Sequence, residues 1–146
     1  MKIRKATQNE TNSLLHMTIN TMNESSMGTV KNDFHTGMNM FVPLLNSGAY
    51  YLIALDKQTI AGWVLLGPDF NPMNTRKTGS IIALYVFPQY RKAGIGKQLM
   101  NKAMQELKSE GYHKVQLNVF TGNPAKSLYK RLGFKEISSI MEMDIN

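Results

Sequence analysis

The segment at residues 90–100, YRKAGIGKQLM, is the feature that most constrains the fold of this chain. It follows the apolar run SIIALYVF (residues 80–87), which predicts a buried strand. It leads into apolar residues spaced by four, which predict an amphipathic helix over residues 94–110. Glycines at such a junction let the backbone turn sharply and let an anion approach the free N–H groups of the first helical turn. The segment therefore predicts either an anion-binding turn or a basic turn without a ligand.

Two common phosphate-binding patterns do not fit this segment. A Walker loop requires Gly at position 91 and Ser or Thr at position 98, where the chain has Arg91 and Gln98. A dinucleotide-binding fingerprint requires a third small residue at position 99, which is Leu99. A phosphate site here would have to be of another kind.

Size and composition narrow the classes of protein. A chain of 146 residues suits one domain, residues 1–146, with a single core. The absence of cysteine excludes disulfides, thiolate metal ligands and a cysteine nucleophile. The three histidines lack metal-ligand spacing, so we expect no metal. The charged N-terminus and the lack of a long apolar run favour a cytoplasmic protein that does not enter a membrane.

Positive charge is concentrated in one part of the chain. Ten basic and two acidic residues lie between positions 91 and 135, so this part carries a formal charge of +8. The rest of the chain carries −1, which gives the total of +7. A solvated basic surface would account for this charge. So would a polyanionic ligand: nucleic acid, an acidic membrane or a phosphorylated cofactor.

The remaining pattern predicts a mixed α/β arrangement. We expect a strand at residues 2–6, helices at 9–23 and 33–45, a strand hairpin at 49–67 and a long loop at 68–80. Pro43 casts doubt on the end of the second helix. A buried strand at 113–120 and a short helix at 123–133 come next, and the alternating tail after residue 134 suits one or two antiparallel strands.

Two segments, LYVFPQYRKAGIGKQLM (residues 84–100) and VQLNVFTGNPAKSLYKRLGF (residues 115–134), resemble the GNAT superfamily of acyl-CoA-dependent N-acyltransferases. The order of the preceding elements also agrees, so the resemblance covers essentially the whole chain. It implies an α/β (α+β) fold with a mixed, mostly antiparallel sheet of six or seven strands and about four helices. The fourth and fifth strands of this sheet would splay apart. It also implies acetyl-CoA as cosubstrate, which would account for the basic segment.

The resemblance assigns roles to residues at these two segments. The pantetheine arm of the cofactor would pair with the main chain of the fourth strand, and the N–H of Val86 would stabilise the developing oxyanion. Tyr129 would be the general acid that protonates the departing thiolate. The residues expected to bind the cofactor are Leu84, Tyr85, Val86, Arg91, Lys92, Ala93, Gly94, Ile95, Gly96, Lys97 and Asn123.

Two departures from the family pattern affect the site. Many relatives have Asn where this chain has Gly122, so the contact falls to the adjacent Asn123. Relatives often supply a general base from an acid on the fourth strand, but residues 80–87 contain none. Asn118 could position a relay water, and three further candidates lie in segments that usually border the acceptor site: Asp33, His35 and Asp69.

The leading hypothesis is an N-acetyltransferase that moves an acetyl group from acetyl-CoA to a primary amine by direct attack in a ternary complex. The alternative is a catalytically idle acyl-CoA-binding module of the same fold, which the missing strand carboxylate keeps open. A nucleic-acid binder rests only on the basic segment and lacks interleaved aromatic residues, so we expect no nucleic-acid or membrane partner. The sequence does not determine whether the acceptor is a small molecule or a peptide or protein amine. It also does not determine whether the chain forms a homodimer.

Overall fold

The computed structural model describes residues 1–69 and 77–146. Strands and helices follow one another along the chain as an α/β arrangement, which confirms the predicted fold class. The elements are β1 (Lys2–Lys5), α1 (Gln8–Asn20), α2 (Met22–Ser25), α3 (Phe34–Asn46), β2 (Tyr50–Asp56), β3 (Thr59–Pro68), β4 (Thr78–Val86), a 3-10 helix (Pro88–Tyr90), α4 (Ile95–Ser109), β5 (Lys114–Leu117) and α5 (Ala125–Leu132).

The strands form one mixed sheet in the order β1-β2-β3-β4-β5. The first four strands pair antiparallel, and β5 pairs parallel with β4. The tight turn between β2 and β3 contains Lys57 at φ 58°, as the predicted hairpin requires. α4 connects β4 to β5 and provides the long crossover that a parallel pair needs.

A capping box fixes the start of α1. Thr7 Oγ1 accepts a hydrogen bond from the Glu10 N–H at 3.2 Å, and the Glu10 carboxylate accepts one from the Thr7 N–H at 2.8 Å. Arg4 on β1 donates two bonds to the same carboxylate, at 2.8 and 2.9 Å. These bonds, with the Arg4 bond the strongest cause, lower the pKa of Glu10 to about 2. β1 and α1 are therefore joined by a charged pair as well as by the chain.

The helices after α1 differ from the prediction in two places. A helical turn, α2, forms where the sequence predicted the chain to leave the helix. α3 starts at the cap residue Asp33 and continues through Pro43 to Asn46. Proline removes the hydrogen bond from position 43 to the carbonyl one turn earlier, but the buried Phe41 holds this part of the helix against the sheet.

Two apolar cores lie on opposite faces of the sheet. One core packs α4 and the buried Tyr129 of α5 against the inner residues of β2, β3 and β4. The other packs α1, α2 and α3 against the alternate residues of the same strands. Trp63 and Tyr51 are the largest fully buried side chains, and both lie in the second core. Together the two cores fix the sheet from both sides.

The predicted splaying of the fourth and fifth strands is confirmed. β5 pairs with β4 at four residue pairs, from Thr78 with Lys114 to Ile81 with Leu117, and then ends. β4 continues to Val86 and stays paired with β3 up to that residue. The outer half of β4, residues 82–86, is only half-buried as a result. A gap therefore opens beside this part of the strand.

The strands predicted for the tail are wrong. The part of the chain that the structure describes has five strands, rather than six or seven, and none of them lies after α5. Residues 135–146 are exposed and have no regular secondary structure. Alternating side chains favour a strand only where a neighbouring strand is available for pairing. Of the predicted loop at 68–80, residues 70–76 lie outside the described residues.

Candidate active site

The loop between β4 and α4 has the backbone that an anion-binding turn needs. Lys92 and Gly94 both have left-handed backbones, at φ 64° and φ 81°, and Gly94 caps α4. The first hydrogen bond of α4 runs from the Gln98 N–H to the Gly94 carbonyl at 3.0 Å. The N–H groups of residues 95–97 thus precede the intrahelical bonding and face the start of the helix. These donors and the exposed Lys97 form a cationic turn.

Gly96 lies where three elements meet. A Cβ atom at this position would lie 3.4 Å from Leu128 Cδ2 on α5 and 4.0 Å from Val86 Cγ2 on β4. A larger side chain would therefore displace α5 or the end of β4. A Cβ atom at Gly94 would meet nothing within 4 Å, so its own backbone angle rather than crowding favours glycine there.

The backbone of β4 presents alternate residues to the gap. The Phe87 N–H donates to Ala61 O on β3 at 2.9 Å, so Phe87 and Tyr85 direct their backbone groups toward β3. The backbone groups of the intervening Leu84 and Val86 point the other way, toward the gap. Of the three β4 residues expected to contact the pantetheine arm, Leu84 and Val86 thus have the suitable orientation, and Tyr85 does not.

Arg91 is engaged by an acid that the sequence did not suggest. Its guanidinium donates to Val86 O at 2.8 Å and forms an ion pair with Glu24 on α2 at 2.7 Å. The Tyr85 hydroxyl donates to the same carboxylate at 3.0 Å, and the guanidinium lies 5.2 Å from the centre of the Tyr85 ring. The bond from Arg91 is the main cause that lowers the pKa of Glu24. No sequence pattern links positions 24 and 91, because only the packing of α2 against the sheet brings them together.

A cavity of about 450 Å³ lies at the gap. Its walls come from the outer half of β4, the residues that follow β5, helices α1–α3 and one side chain of α5. The residues that matter for chemistry in this lining are Ser25, Ser26, Trp63, Asp69, Tyr85, Asn118, Asn123 and Tyr129. The lining thus contains Leu84 and Tyr85 of the first motif segment and several residues of the second, whereas the glycine turn lies outside it.

Tyr129 projects from α5 into this lining and is 9% exposed. Its ring packs edge-on against Phe134, with 6.1 Å between the ring centres. Burial raises the pKa of Tyr129 to about 12, and no described residue forms a hydrogen bond with its hydroxyl. The phenol is consequently protonated at neutral pH and free to donate to a bound molecule.

The two asparagines have different surroundings. Asn123 Oδ1 accepts from the Ala125 N–H at 2.9 Å, and its Nδ2 donates to Ser25 O at 3.1 Å. Asn123 therefore holds the start of α5 and ties it to α2. Both the oxygen and the nitrogen of its side-chain amide are engaged in these structural hydrogen bonds. Asn118 follows β5, is exposed and lines the cavity.

Of the three predicted base candidates, the structure puts one in the cavity lining. Asp33 is the cap of α3, where its carboxylate accepts from the Thr36 N–H at 3.0 Å. His35 contacts Asn39 on the same exposed helix face. Asp69, just after β3, lines the cavity. Within residues 78–86, β4 carries no acid, as the sequence indicated.

Across residues 1–69 and 77–146, no three His, Asp or Glu side chains lie together in a way that could hold a metal ion. No helix in the same residues has the length and apolar character to cross a membrane.

Comparison with known sequences identifies relatives. The sequence pattern that describes the acetyltransferase (GNAT) family matches residues 19–134. An N-alpha-acetyltransferase of Sulfurisphaera tokodaii is 44% identical over an alignment of 98 residues that covers 61% of this chain and 58% of that relative. A [ribosomal protein bS18]-alanine N-acetyltransferase of Haemophilus influenzae is 33% identical over 58 residues, 40% of each chain. The matched part thus spans less than two thirds of these curated relatives.

Solved structures with the same fold cover nearly the whole chain. A GCN5-related N-acetyltransferase from Ralstonia eutropha has a TM-score of 0.75 and 20% identity, with 98% of this chain and 97% of that chain covered. A predicted acetyltransferase from Clostridium acetobutylicum, solved with acetyl-CoA, has a TM-score of 0.73 and 24% identity, with 98% and 95% covered. At these identities the likeness shows a shared fold.

Proposed function

The chain belongs to the acetyltransferase (GNAT) family, and from this membership we propose that it transfers an acetyl group from acetyl-CoA to the α-amino group at the N-terminus of a polypeptide. The observation that carries the proposal is the gap between β4 and β5, because a cavity lined by the protonated Tyr129 lies there and the cationic turn follows the end of the same strand, β4. Both substrates would be bound together, and the amine would attack directly.

The residues at the gap fit a long polyanionic cosubstrate. The first-turn N–H groups of α4 and the side chain of Lys97 would hold its pyrophosphate. The outward-facing backbone groups of Leu84 would pair with an amide of its pantetheine arm, while Val86 O already accepts from Arg91. Acetyl-CoA supplies an activated acyl group on a thioester, which a neutral amine can attack.

Three groups of this chain would then assist the reaction. The Val86 N–H would donate to the carbonyl oxygen as negative charge develops there. The Tyr129 hydroxyl would give its proton to the departing sulfur. Asp69, the carboxylate among the described cavity residues, would accept a proton from the amine through water, with Asn118 positioning that water. The substitution Asp69→Asn should then reduce turnover.

The absence of an acid on β4 that could act as a general base favours an α-amine over a lysine side chain as the acceptor. An α-amino group has a pKa of about 8, so roughly a tenth of it is neutral at pH 7. A lysine ammonium with a pKa of about 10.4 is neutral in fewer than one molecule in 1,000 at that pH. A site without an acid on β4 can use the first amine with little help. The names of the curated relatives agree with this choice.

The cavity also has room for an apolar first residue of such a polypeptide. Its wall on the α3 side consists of Met40, Phe41 and Leu44, with Trp63 of β3 behind them. These side chains would surround an apolar side chain rather than a charged one. Few acids border this wall, so a polyamine would find little to balance its charge.

Release of free thiol tests the proposal. The chain contains no cysteine, so a thiol reagent reports only the coenzyme A that the reaction releases. Two peptides of one sequence serve as acceptors: one with a free N-terminus and a blocked lysine, the other with a blocked N-terminus and a free lysine. We expect turnover with the first peptide. Turnover only with the second would overturn the choice of acceptor, and calorimetric binding of acetyl-CoA without turnover on any amine would support the idle binding module.

A further inference from the structure

The tail after α5 has the side-chain pattern of a strand but no strand to pair with. Four large apolar side chains occupy odd positions of the segment, and all are exposed: Ile137, Met141, Met143 and Ile145. Met141 is 92% exposed and Ile145 is 86% exposed. The even positions between residues 138 and 144 hold Ser138, Ile140, Glu142 and Asp144. Exposed apolar surface of this extent commonly marks a site of contact with another protein surface.

β5 offers an edge that matches the tail. Among the described residues it is the last strand of the sheet, and β4 is its one partner. Its odd residues Val115 and Leu117 face α4 and belong to the core on that side. Beside its first residues lies a cavity of about 480 Å³, lined by Met104, Lys108, Gly111, Tyr112, His113, Lys114 and Val115. This edge thus has an apolar hollow with basic residues around it.

The chain cannot easily bring its own tail to this edge. Gly133, at φ 107°, reverses the chain after α5, and Glu136 then forms an ion pair with Lys126 at the other end of that helix. A second reversal, directly after residue 136, would be needed to run antiparallel beside β5. Residues 137–143 contain no Gly, Asn or Asp to supply the positive φ of a two-residue hairpin turn, and their only common turn residues are Ser138 and Ser139. The tail instead continues outward, exposed.

We propose that the tail of one copy pairs as an antiparallel strand with the β5 edge of a second copy, and that the two copies exchange tails in a symmetric dimer. Directly opposite residues on neighbouring strands point to the same face of a sheet. Charge sets the direction and register, because Lys114 then lies opposite Asp144 on one face. Val115 and Leu117 lie opposite Met143 and Met141 on the other.

The overall charge distribution agrees with this assignment. Residues 136–146 carry three acids and no base, whereas residues 91–135 of the copy that receives them carry +8. A parallel arrangement would move the two terminal acids away from the lysines at the start of β5. Exchange of the same segment by both copies closes the assembly, because neither a free tail nor a free β5 edge is left for a third copy.

A substitution at one odd and one even position tests the packing. Light scattering across a concentration series should give the wild-type chain a mass of twice 16.5 kDa. Met143→Asp removes one apolar contact from each half of the dimer and should raise the dissociation constant about 100-fold or more. Ile140→Asp, which alters the other face, should leave the dimer intact. A monomeric wild-type chain, or equal loss of dimer in both variants, would overturn the proposal.

A designed disulfide distinguishes exchange from folding back. The chain has no natural cysteine, so the double variant Gln116→Cys with Glu142→Cys contains a single pair. These positions are opposite one another in the proposed register, at a Cα separation of about 5 Å that suits a disulfide. Oxidation should link two chains covalently. A disulfide within one chain would show that the tail folds back onto its own β5, and failure to form either bond would show that it does not reach this edge.

Discussion

Tyr129→Phe isolates the hydroxyl group that lines the cavity. The ring and its contact with Phe134 remain, and no described residue loses a hydrogen bond when the hydroxyl is removed. We therefore expect the melting temperature and the affinity for acetyl-CoA to stay nearly unchanged. The expected loss lies in the step at which negative charge collects on the departing sulfur.

The magnitude follows from the chemistry of a buried phenol. Its pKa of about 12 lies well above that of a thiol, so complete proton transfer before C–S cleavage would be unfavourable. The useful interaction is a hydrogen bond to sulfur as its charge grows, and hydrogen bonds to charged groups contribute about 1.5–3 kcal/mol. Loss of this bond should lower kcat about 10- to 100-fold, with KM for acetyl-CoA unchanged.

The assay compares kcat by thiol release for wild type, Tyr129→Phe and a matched control. Tyr50→Phe is the control, because the Tyr50 hydroxyl on β2 donates to Glu110 at the end of α4, and neither residue lines the cavity. The pH profile adds a second test. The raised pKa keeps the Tyr129 proton in place through pH 10, so kcat should not fall between pH 8 and 10 on its account. Unchanged kcat in Tyr129→Phe, or a wild-type loss near pH 10 that this variant abolishes, would refute the reasoning.

Two further predictions concern ion pairs. Glu24→Gln removes the acid that holds the Arg91 guanidinium. It should tighten the binding of coenzyme A, measured by calorimetry, by up to about fivefold, which is the range expected for one exposed ion pair. Weaker binding would mean that Glu24 orients Arg91 for the cofactor. The folded pKa of Glu10 is depressed from 4.5 to about 2, so the stabilisation from its bonds to Arg4 and Thr7 is present above pH 4.5 and is lost as the pH falls toward 2. The difference in melting temperature between wild type and Glu10→Gln should shrink over that range, and a constant difference would contradict it.

The sequence correctly predicted the elements whose formation depends mainly on residues that are close together in the chain. The period-four apolar residues of α4 and the glycine that ends α5 appear in the structure where the sequence put them. The end of α3 did not follow its local signal, because packing of Phe41 outweighs the bond that Pro43 removes. The strands predicted for the tail did not form, because strand formation depends on a partner edge that no pattern in the tail can report.

The same distinction holds at the site. Both motif segments reach one cavity, and Tyr129, Asn118 and Leu84 line it. The Arg91 and Glu24 pair could not be read from the sequence, because these residues are 67 positions apart and meet only through the packing of a four-residue helix. The predicted cofactor contact of Asn123 has a competing use, since its amide already holds α5 and α2 together.

The short pairing between β4 and β5 also determines how the molecule can deform. β2, β3 and β4 form a stiff plate in which each neighbouring pair of strands is joined by seven residue pairs, whereas β5 is joined to β4 by only four. Each backbone hydrogen bond contributes a net of about 1 kcal/mol, so widening the gap by a residue or two is inexpensive compared with bending the plate. The wall formed by the residues that follow β5 should thus yield more readily to a bound molecule than the wall formed by the outer half of β4.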